Sequence, residues 1–590
     1  MRIFSFLRKY ASVLALFVAA LGMISAPYLI PENPDSAVFR SGTLGLALLL
    51  ACAHPLKESF CRASLRTLLC GMAWGLLFAG ALSLGSELQV YGGLLPGMGS
   101  MIRRMAVPFM AAPLFGGLAA RLMLTLETAK QEHKTLHLPL LGYMAILLIC
   151  WLPLLIAYYP GMLNYDVHTE YTQYVASQWD NRHPLLYIVL CYAVYGLGNL
   201  IGKPELTILT VTLARMIVFA AALGYSCVFA QRRRAPRWAL ILMTAGYALL
   251  PIFSVMAVSS AKDTPFAAAV LMLSLLSWEA IEDPKAFLAD RKKSLLLILS
   301  ILFTWHMRKN GIAVMLLLPL LIAAVKGYRA QLGKLCVTGV LLSAILSVGM
   351  NAALKPAEQP SFQTYSIPAQ QLVRAYNVGD MTDEEREELR SWYIDSNWGL
   401  QLLPHLADAA KGSLDPEKLT REGDAFMDLW ARVGKKNTRV YIEAFLLLNI
   451  GSWYPDDRTH ADIYRPYGLD KGYLQTDEYD LSAYGIGEYN PLPAVRNFYE
   501  QICRRNICLK YPVVSQLLCT AAPLWIILFA ACALIAKKQG RLAIASAGVL
   551  ALWLSYLLGP CTLARYMLPL FCLAPVMLII SLFPSSRPDR

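Results

Sequence analysis

The chain has 590 residues, 57% of them hydrophobic and 16% charged, with a formal net charge of +13. That balance is too apolar for a soluble protein and too finely segmented for a single fibrous element. The positive charge sits in short clusters between apolar runs, where it acts as a topology signal and excludes a nucleic-acid surface.

Taken in chain order, the apolar runs predict a polytopic membrane protein. With the basic clusters Arg232-Arg233-Arg234, Arg291-Lys292-Lys293 and Lys537-Lys538 in the cytoplasm, the N-terminus is inside and Tyr10–Ile30 crosses outward as a retained anchor. Shorter spans at Gly42–Ala53, Leu68–Ser86 and Ala106–Leu126 complete an N-terminal unit, residues 1–137, and leave Arg103-Arg104 on the outer side. Leu138–Tyr158 then exits. His183–Ile201 lies along the outer surface, so that 159–204 is external and Leu206–Ala230 returns Arg232 to the inside.

Trp238–Val258, Pro265–Ile281, Leu295–Trp305, Ile312–Val325 and Leu335–Leu354 alternate across the membrane and complete a core over 138–354. A polar, external domain of mixed structure follows at 355–511. Within it Thr382-Asp-Glu-Glu385 reads as a capping box opening a helix through Tyr393, and Thr420–Val433 as a second helix. Three spans in 512–590 leave the C-terminus inside. The fold class expected is an all-α polytopic membrane protein of about fourteen spans with an external soluble domain in its C-terminal half.

Of the 13 cysteines, Cys52, Cys70, Cys150, Cys227, Cys336, Cys519, Cys532 and Cys572 lie inside apolar runs and behave as small hydrophobes. Cys503 and Cys508 share a polar segment whose spacing suits either a disulfide-closed loop or two free thiols.

Chemistry concentrates in the loop after Leu138–Tyr158. Tyr159-Pro-Gly-Met-Leu-Asn-Tyr-Asp-Val-His-Thr-Glu170 and Asp180-Asn-Arg-His-Pro-Leu-Leu-Tyr187 crowd Asp166, His168, Glu170, Asp180, Arg182 and His183 at a membrane boundary, where ionisable groups need a reason to gather. Three further polar groups stand where spans end on the same face: Ser259–Asp263, Arg308-Lys309-Asn310-Gly311, and Gly559–Tyr566. There Lys262, Arg308, Lys309 and Arg565 run against the positive-inside tendency, and an anionic ligand at the outer leaflet accounts for them.

Each residue carries a plainer reading beside the chemical one. Asp166 is a general base or, with Asn164, an N-cap of the following helix. His183 orients an acceptor or a carboxylate, or simply begins a helix. Lys262 and Asp263 serve a phosphate site or pair only with each other. Arg308 and Arg565 offer planar forks to a phosphate or are snorkelling anchors. Asp166-x-His168-x-Glu170 offers ligands to a divalent metal only from an extended loop, because in a helix His168 points away from the other two.

Together these pieces resemble the GT-C superfamily, integral membrane glycosyltransferases that take sugars from polyprenyl-phosphate carriers. The features that carry the resemblance are an acidic residue in the first large external loop and His183-Pro-Leu-Leu-Tyr187, which is similar to a juxtamembrane HPPLY-type element. A second acidic residue, Asp263, in the next external turn and Arg565-Tyr566 at the outer start of the last span complete it. The Tyr-Pro-Gly, Lys262-Asp263, Arg308–Gly311 and Ile367-Pro-Ala-Gln-Gln-Leu-Val-Arg374 pieces are similar to a bacterial GT-C-like family without an assigned substrate. The first loop has one Asp166 where several GT-C families have an adjacent acidic pair.

The resemblance implies an inverting glycosyltransferase in a bacterial plasma membrane, active on its external face and needing no certain cofactor. It would move a sugar from a polyprenyl-phosphate donor to a glycan, lipid or protein. Asp166, His183 and Asp263 are the expected catalytic residues. Glu170, Arg182, Lys262, Arg308, Asn310, Arg565 and Tyr566 are the expected substrate-binding ones. A transporter or flippase for a lipid-linked glycan and a non-catalytic assembly factor remain the alternatives.

Overall fold

The computed structural model describes residues 8–29, 42–125, 136–162, 165–181, 183–259, 261–357, 362–457, 481–487, 489–504 and 519–583. They are helical, with no strand beyond isolated bridges among the described residues. Six helices are long and apolar enough to cross a membrane, a bent pair would make a seventh, and shorter apolar helices of 10–17 residues stand beside them. The chain is an all-α membrane protein.

Helices α1 (Ala11–Ser25), α2 (Gly42–Arg62), α3 (Leu65–Tyr91) and α4 (Met98–Thr125) form an N-terminal bundle. The predicted short span at 42–53 is thus longer, running through Pro55. Its tightest seam sets Gly71 and Gly75 of α3 against Ala112, Gly116 and Ala120 of α4. A Cβ on Gly75 would stand 2.5 Å from the Gly116 nitrogen. Small residues permit this approach, as membrane helices require in the absence of a hydrophobic drive between them.

The core follows with α5 (Leu140–Ala157), α6 (Tyr165–Val175), α7 (Leu185–Leu200), α8 (Pro204–Arg232), α9 (Arg237–Leu249), α10 (Pro251–Val258) and α11 (Asp263–Glu282). The span predicted at 238–258 is broken. Pro251 has no N–H to donate and forces Leu250 into extended backbone, φ −68° and ψ 130°, so α9 and α10 meet at 48°. Every residue of α10 is buried. Helix α11 is buried along nearly its whole length, as an all-round apolar sequence demands.

Helix α11 ends in an ion network. Glu279 meets Lys293 at 2.7 Å and accepts from the Tyr225 hydroxyl at 3.1 Å, while Glu282 pairs with Arg233. Antiparallel to α11 runs α12 (Arg291–Met307), followed by α13 (Gly311–Val314), α14 (Leu317–Ala324) and α15 (Arg329–Leu354). Only Leu332, Cys336, Gly339 and Ser343 of α15 are buried, one stripe at helical spacing facing α12.

A helical domain contains α16 (Ser366–Val378), α17 (Asp383–Arg390), α18 (Pro416–Lys436) and α19 (Thr438–Leu448) around Leu372, Leu389, Phe426, Leu429 and Val433. The capping box forms: Thr382 Oγ1 accepts from the Glu385 N–H at 3.2 Å, and Glu385 accepts from the Thr382 N–H at 2.9 Å. Helix α17 stops at Arg390, short of the predicted Tyr393, because the chain there turns to pair with residues 413–415.

The second predicted helix is longer, 416–436, with a kink at Glu422. A buried pair, Arg374 with Glu443 at 2.7 Å, docks the domain on the N-terminal bundle through the Gly92 carbonyl and Leu94 N–H. Helices α20 (Ala522–Ala536), α21 (Ala547–Tyr556) and α22 (Leu568–Leu582) close the core. Cys508 and the side chain of Cys503 lie outside the described residues.

Lys203 and Arg234 are both exposed, at opposite ends of the 29-residue α8, about 43 Å apart along its axis. Ala235 is buried, so a cysteine there would be silent on either side. In a background without reactive cysteines, Lys203→Cys should react with an impermeant thiol reagent on intact cells and Arg234→Cys only after permeabilisation. The reverse pattern would invert the topology read from the charges. Gly75→Leu should separate α3 from α4 and lower the yield of folded protein by several-fold in detergent size-exclusion profiles.

Candidate functional site

Backbone pairings bring distant loops to one end of the core. The Met162 N–H donates to the Val258 carbonyl at 3.2 Å, joining the first loop to the end of α10. The Tyr489 N–H donates to Tyr159 at 2.9 Å, the Ala357 N–H to Trp179 at 2.8 Å, and the Ala407 N–H to Pro560 at 2.8 Å. Segments that are separate in sequence are thereby fixed around the start of α11.

Asp263 is the first residue of α11 and 1% exposed. Arg308 Nη1 donates to its Oδ1, and Arg565 Nη1 stands 3.8 Å from its Oδ2. Both arginines are buried or nearly so and share an aromatic floor. The Arg308 guanidinium lies 4.4 Å over the Tyr566 ring and 5.5 Å over Tyr556, and that of Arg565 lies 5.3 Å over Tyr566. Tyr556 and Tyr566 stack on each other at 5.5 Å.

Arg308 reaches Asp263 because α12 ends at Met307 and the next residue is extended. The turn that follows needs Gly311, whose Cβ would fall 1.8 Å from the Thr304 carbonyl. Asn310 fastens this turn to α21 by donating to Ser555 Oγ at 3.1 Å. Asp263 Oδ2 and the Tyr556 hydroxyl are buried and take part in no hydrogen bond among the described residues, an unusual condition that invites a ligand.

A second line of side chains starts one residue earlier. Lys262 Nζ is 2.6 Å from His183 Nδ1, and His183 Nε2 is 3.9 Å from Oε1 of Glu170, which is fully buried. The Tyr187 hydroxyl donates to Glu170 Oε2 at 3.0 Å and accepts from Arg215 at 2.9 Å. Asp180, also buried, accepts from Gln173 at 2.6 Å. Burial pushes the Lys309 ammonium below the usual lysine range against the pull of Asp180, and the like charge of Lys262 adds to the push.

Beside these groups a cavity of about 620 Å³ lies between α7, α8, α11 and α12. Its walls are almost wholly apolar, with Tyr187, Cys191 and Arg215 at one region and Pro265 and Met307 next to the Asp263 cluster. Leu190, Val218, Leu296 and Leu299 at its rim are 38–50% exposed, so the cavity opens sideways where hydrocarbon would surround the helices.

Of the residues expected from sequence, Asp263, Arg308, Arg565 and Tyr566 form one cluster, Lys262, His183 and Glu170 the adjoining line, and Asn310 its edge. Lys262 and Asp263 diverge to different partners, so a pair confined to each other is not what they form. Arg182 and the side chain of Asp166 lie outside the described residues. Among the described residues no three His, Cys, Asp or Glu side chains converge as a metal would require. Arg215 and Tyr556 were missed. A lone arginine inside the apolar run Leu206–Ala230 is itself a signal, whereas Tyr556 is indistinguishable in sequence from a packing aromatic.

Residues 175–589 match the family described as Family of unknown function (DUF6020). The chain belongs to that family. No curated protein and no solved structure matches it. The DUF6020 match contains the whole Asp263 cluster together with His183 and Arg215, while Asp166 and Glu170 precede it.

Removing Asp263 would leave two buried guanidinium groups facing each other. Asp263→Leu should therefore destabilise the protein by about 3–5 kcal/mol, read as a large fall in Tm in detergent. Adding Arg308→Met should recover part of that loss. Equal Tm values for wild type and Asp263→Leu would mean the cluster contributes nothing to folding.

Proposed function

We propose that this DUF6020 protein is a membrane glycosyltransferase that moves a sugar from a polyprenyl-phosphate donor to a hydroxyl of an envelope glycan, lipid or protein. The observation that carries this reading is the meeting of Arg308 and Arg565 on one carboxylate next to a cavity that opens sideways. Two planar, buried cations converge there on one short carboxylate, and a phosphate is the kind of anion such forks bind. The apolar cavity beginning two residues from Asp263 suits the hydrocarbon chain of the same molecule.

The chemistry asked of such a site is modest. The acceptor oxygen attacks the anomeric carbon as the bond from that carbon to the phosphate oxygen breaks, and the electron pair leaves on the phosphate. Arg308 and Arg565 meet the charge that develops there with planar, preorganised donors. Asp166 takes the proton of the acceptor hydroxyl, and one displacement inverts the anomeric centre. Asp263 keeps both arginines aimed, and its Oδ2, which takes part in no hydrogen bond among the described residues, can accept from a sugar hydroxyl.

On this reading the site faces the outside of a bacterial plasma membrane, both termini are cytoplasmic, about fourteen segments cross, and 355–511 covers the site as an external domain. A flippase remains the second reading. What favours it is the bend between α9 and α10, since transporters build their sites from broken helices.

Cells lacking the protein should lose one sugar from an envelope glycan, seen by mass spectrometry, and accumulate the sugar-loaded polyprenyl phosphate. Asp166→Asn should reproduce the deletion, with transfer reduced about 10²- to 10⁴-fold and normal amounts of protein in the membrane. Arg565→Lys keeps the charge without the fork and should weaken donor use more than it lowers Tm. An unchanged glycan profile in the deletion would rule the glycosyltransferase out.

A further inference from the structure

The polarity of the line from Arg215 to Lys262 is set from both ends. A guanidinium only donates, so Tyr187 accepts from Arg215 at 2.9 Å and its own proton goes to Glu170 at 3.0 Å. An ammonium also only donates. At 2.6 Å, Lys262 therefore makes His183 Nδ1 the acceptor and leaves the ring proton on Nε2, facing Glu170 Oε1 at 3.9 Å. Nδ1 is thus occupied.

Among the described residues, charged and titratable groups reach His183 from several elements. Glu170 belongs to α6, Tyr187 to α7, and Lys262 to the turn before α11, with Arg215 of α8 behind Tyr187. Lys309 lies close enough to feel the charges of both Asp180 and Lys262. Lys262 is the next residue to Asp263, which holds both arginines, and it rides on a flexible four-carbon stem. An anion on those arginines and the His183 ring consequently compete for the same ammonium, and an anion is the stronger acceptor.

We propose that Lys262 caps His183 while the site is empty, and that an anion bound by Arg308 and Arg565 draws Lys262 away and uncovers Nδ1 as the partner for an O–H or N–H of the acceptor other than the hydroxyl that Asp166 deprotonates. This rests on the lipid-phosphate reading and adds an order to it. The anionic donor binds first, and the hydroxyl acceptor finds its hydrogen-bond partner only afterwards. Water would be denied the same position in the absence of donor.

Acylation of His183 by diethyl pyrocarbonate, followed by mass spectrometry on the purified full-length chain, tests this without any assay of transfer. At a pH above the ordinary imidazole range, where the ring is neutral with or without Lys262, wild type should react slowly and Lys262→Met at least about tenfold faster, because a charge-assisted hydrogen bond no longer holds the Nδ1 lone pair. Lys262→Arg retains a donor and should stay slow. A polyprenyl monophosphate should accelerate the wild-type reaction. Inorganic phosphate should do so less, since it lacks the chain, and neutral polyprenol not at all.

His306 and His405, held by the carbonyls of Ser343 and Leu447 at 3.1 and 2.9 Å, report general loosening and should keep their rates. A wild-type rate in Lys262→Met overturns the cap. Retention of polyprenyl monophosphate without acceleration overturns its release while leaving the donor reading intact. Failure to retain the lipid phosphate overturns the donor reading and the release step together, and the Lys262→Met comparison still decides the cap.

Discussion

A single buried carboxylate holding two buried arginines is the constraint on which the site depends. Each guanidinium alone would be costly to bury, and each is kept in place by Asp263 and by the face of Tyr566. The three residues come from the start of α11, the end of α12 and the loop before α22. Nothing local in sequence relates them; the antiparallel packing of α11 on α12 and the docking of α22 against α11 do.

Around that triad the loops are positioned by backbone rather than by long side chains. The Pro251 bend lets α10 sink wholly into the protein and deliver Ser259 beside Met162. The helical domain reaches over the same end, through Ala407 on Pro560 and Asn449 on the Leu557 carbonyl at 3.0 Å. A site assembled in this way is rigid in its cations. Its most adjustable member is Lys262, the one with a flexible stem and a histidine for a partner.

Much of this was legible in the sequence because charge in an apolar chain is conspicuous. Arg308, Arg565 and Asp263 stood out as ionisable groups at the ends of apolar runs, and their convergence follows from the runs being antiparallel neighbours. The capping box at Thr382 was readable from four residues, since both of its hydrogen bonds are local.

What could not be read was tertiary. The break at Leu250–Pro251 competes with an otherwise continuous apolar stretch, and hydropathy weighs one proline lightly. Arg215 was passed over because the run around it is apolar enough to absorb one charge. Its partner is a tyrosine 28 positions away, a relation no periodicity reveals. The end of α17 was misplaced because pairing with residues 413–415 outweighs helix propensity there.

Helix α11 carries fixed charge at both ends, Asp263 with its arginines at one and Glu279 with Lys293 and Glu282 with Arg233 at the other. Its 20 residues measure about 30 Å, close to the hydrocarbon thickness of an ordinary bilayer. The helix therefore works as a ruler. Because it is enclosed by its neighbours and pinned at each end, it can answer a thicker or thinner bilayer only by tilting the bundle as a whole or by deforming the lipid around it. On the proposed reading, the depth at which the cations meet a headgroup is thus a property of the membrane as much as of the protein, and lipid composition becomes a variable of the site.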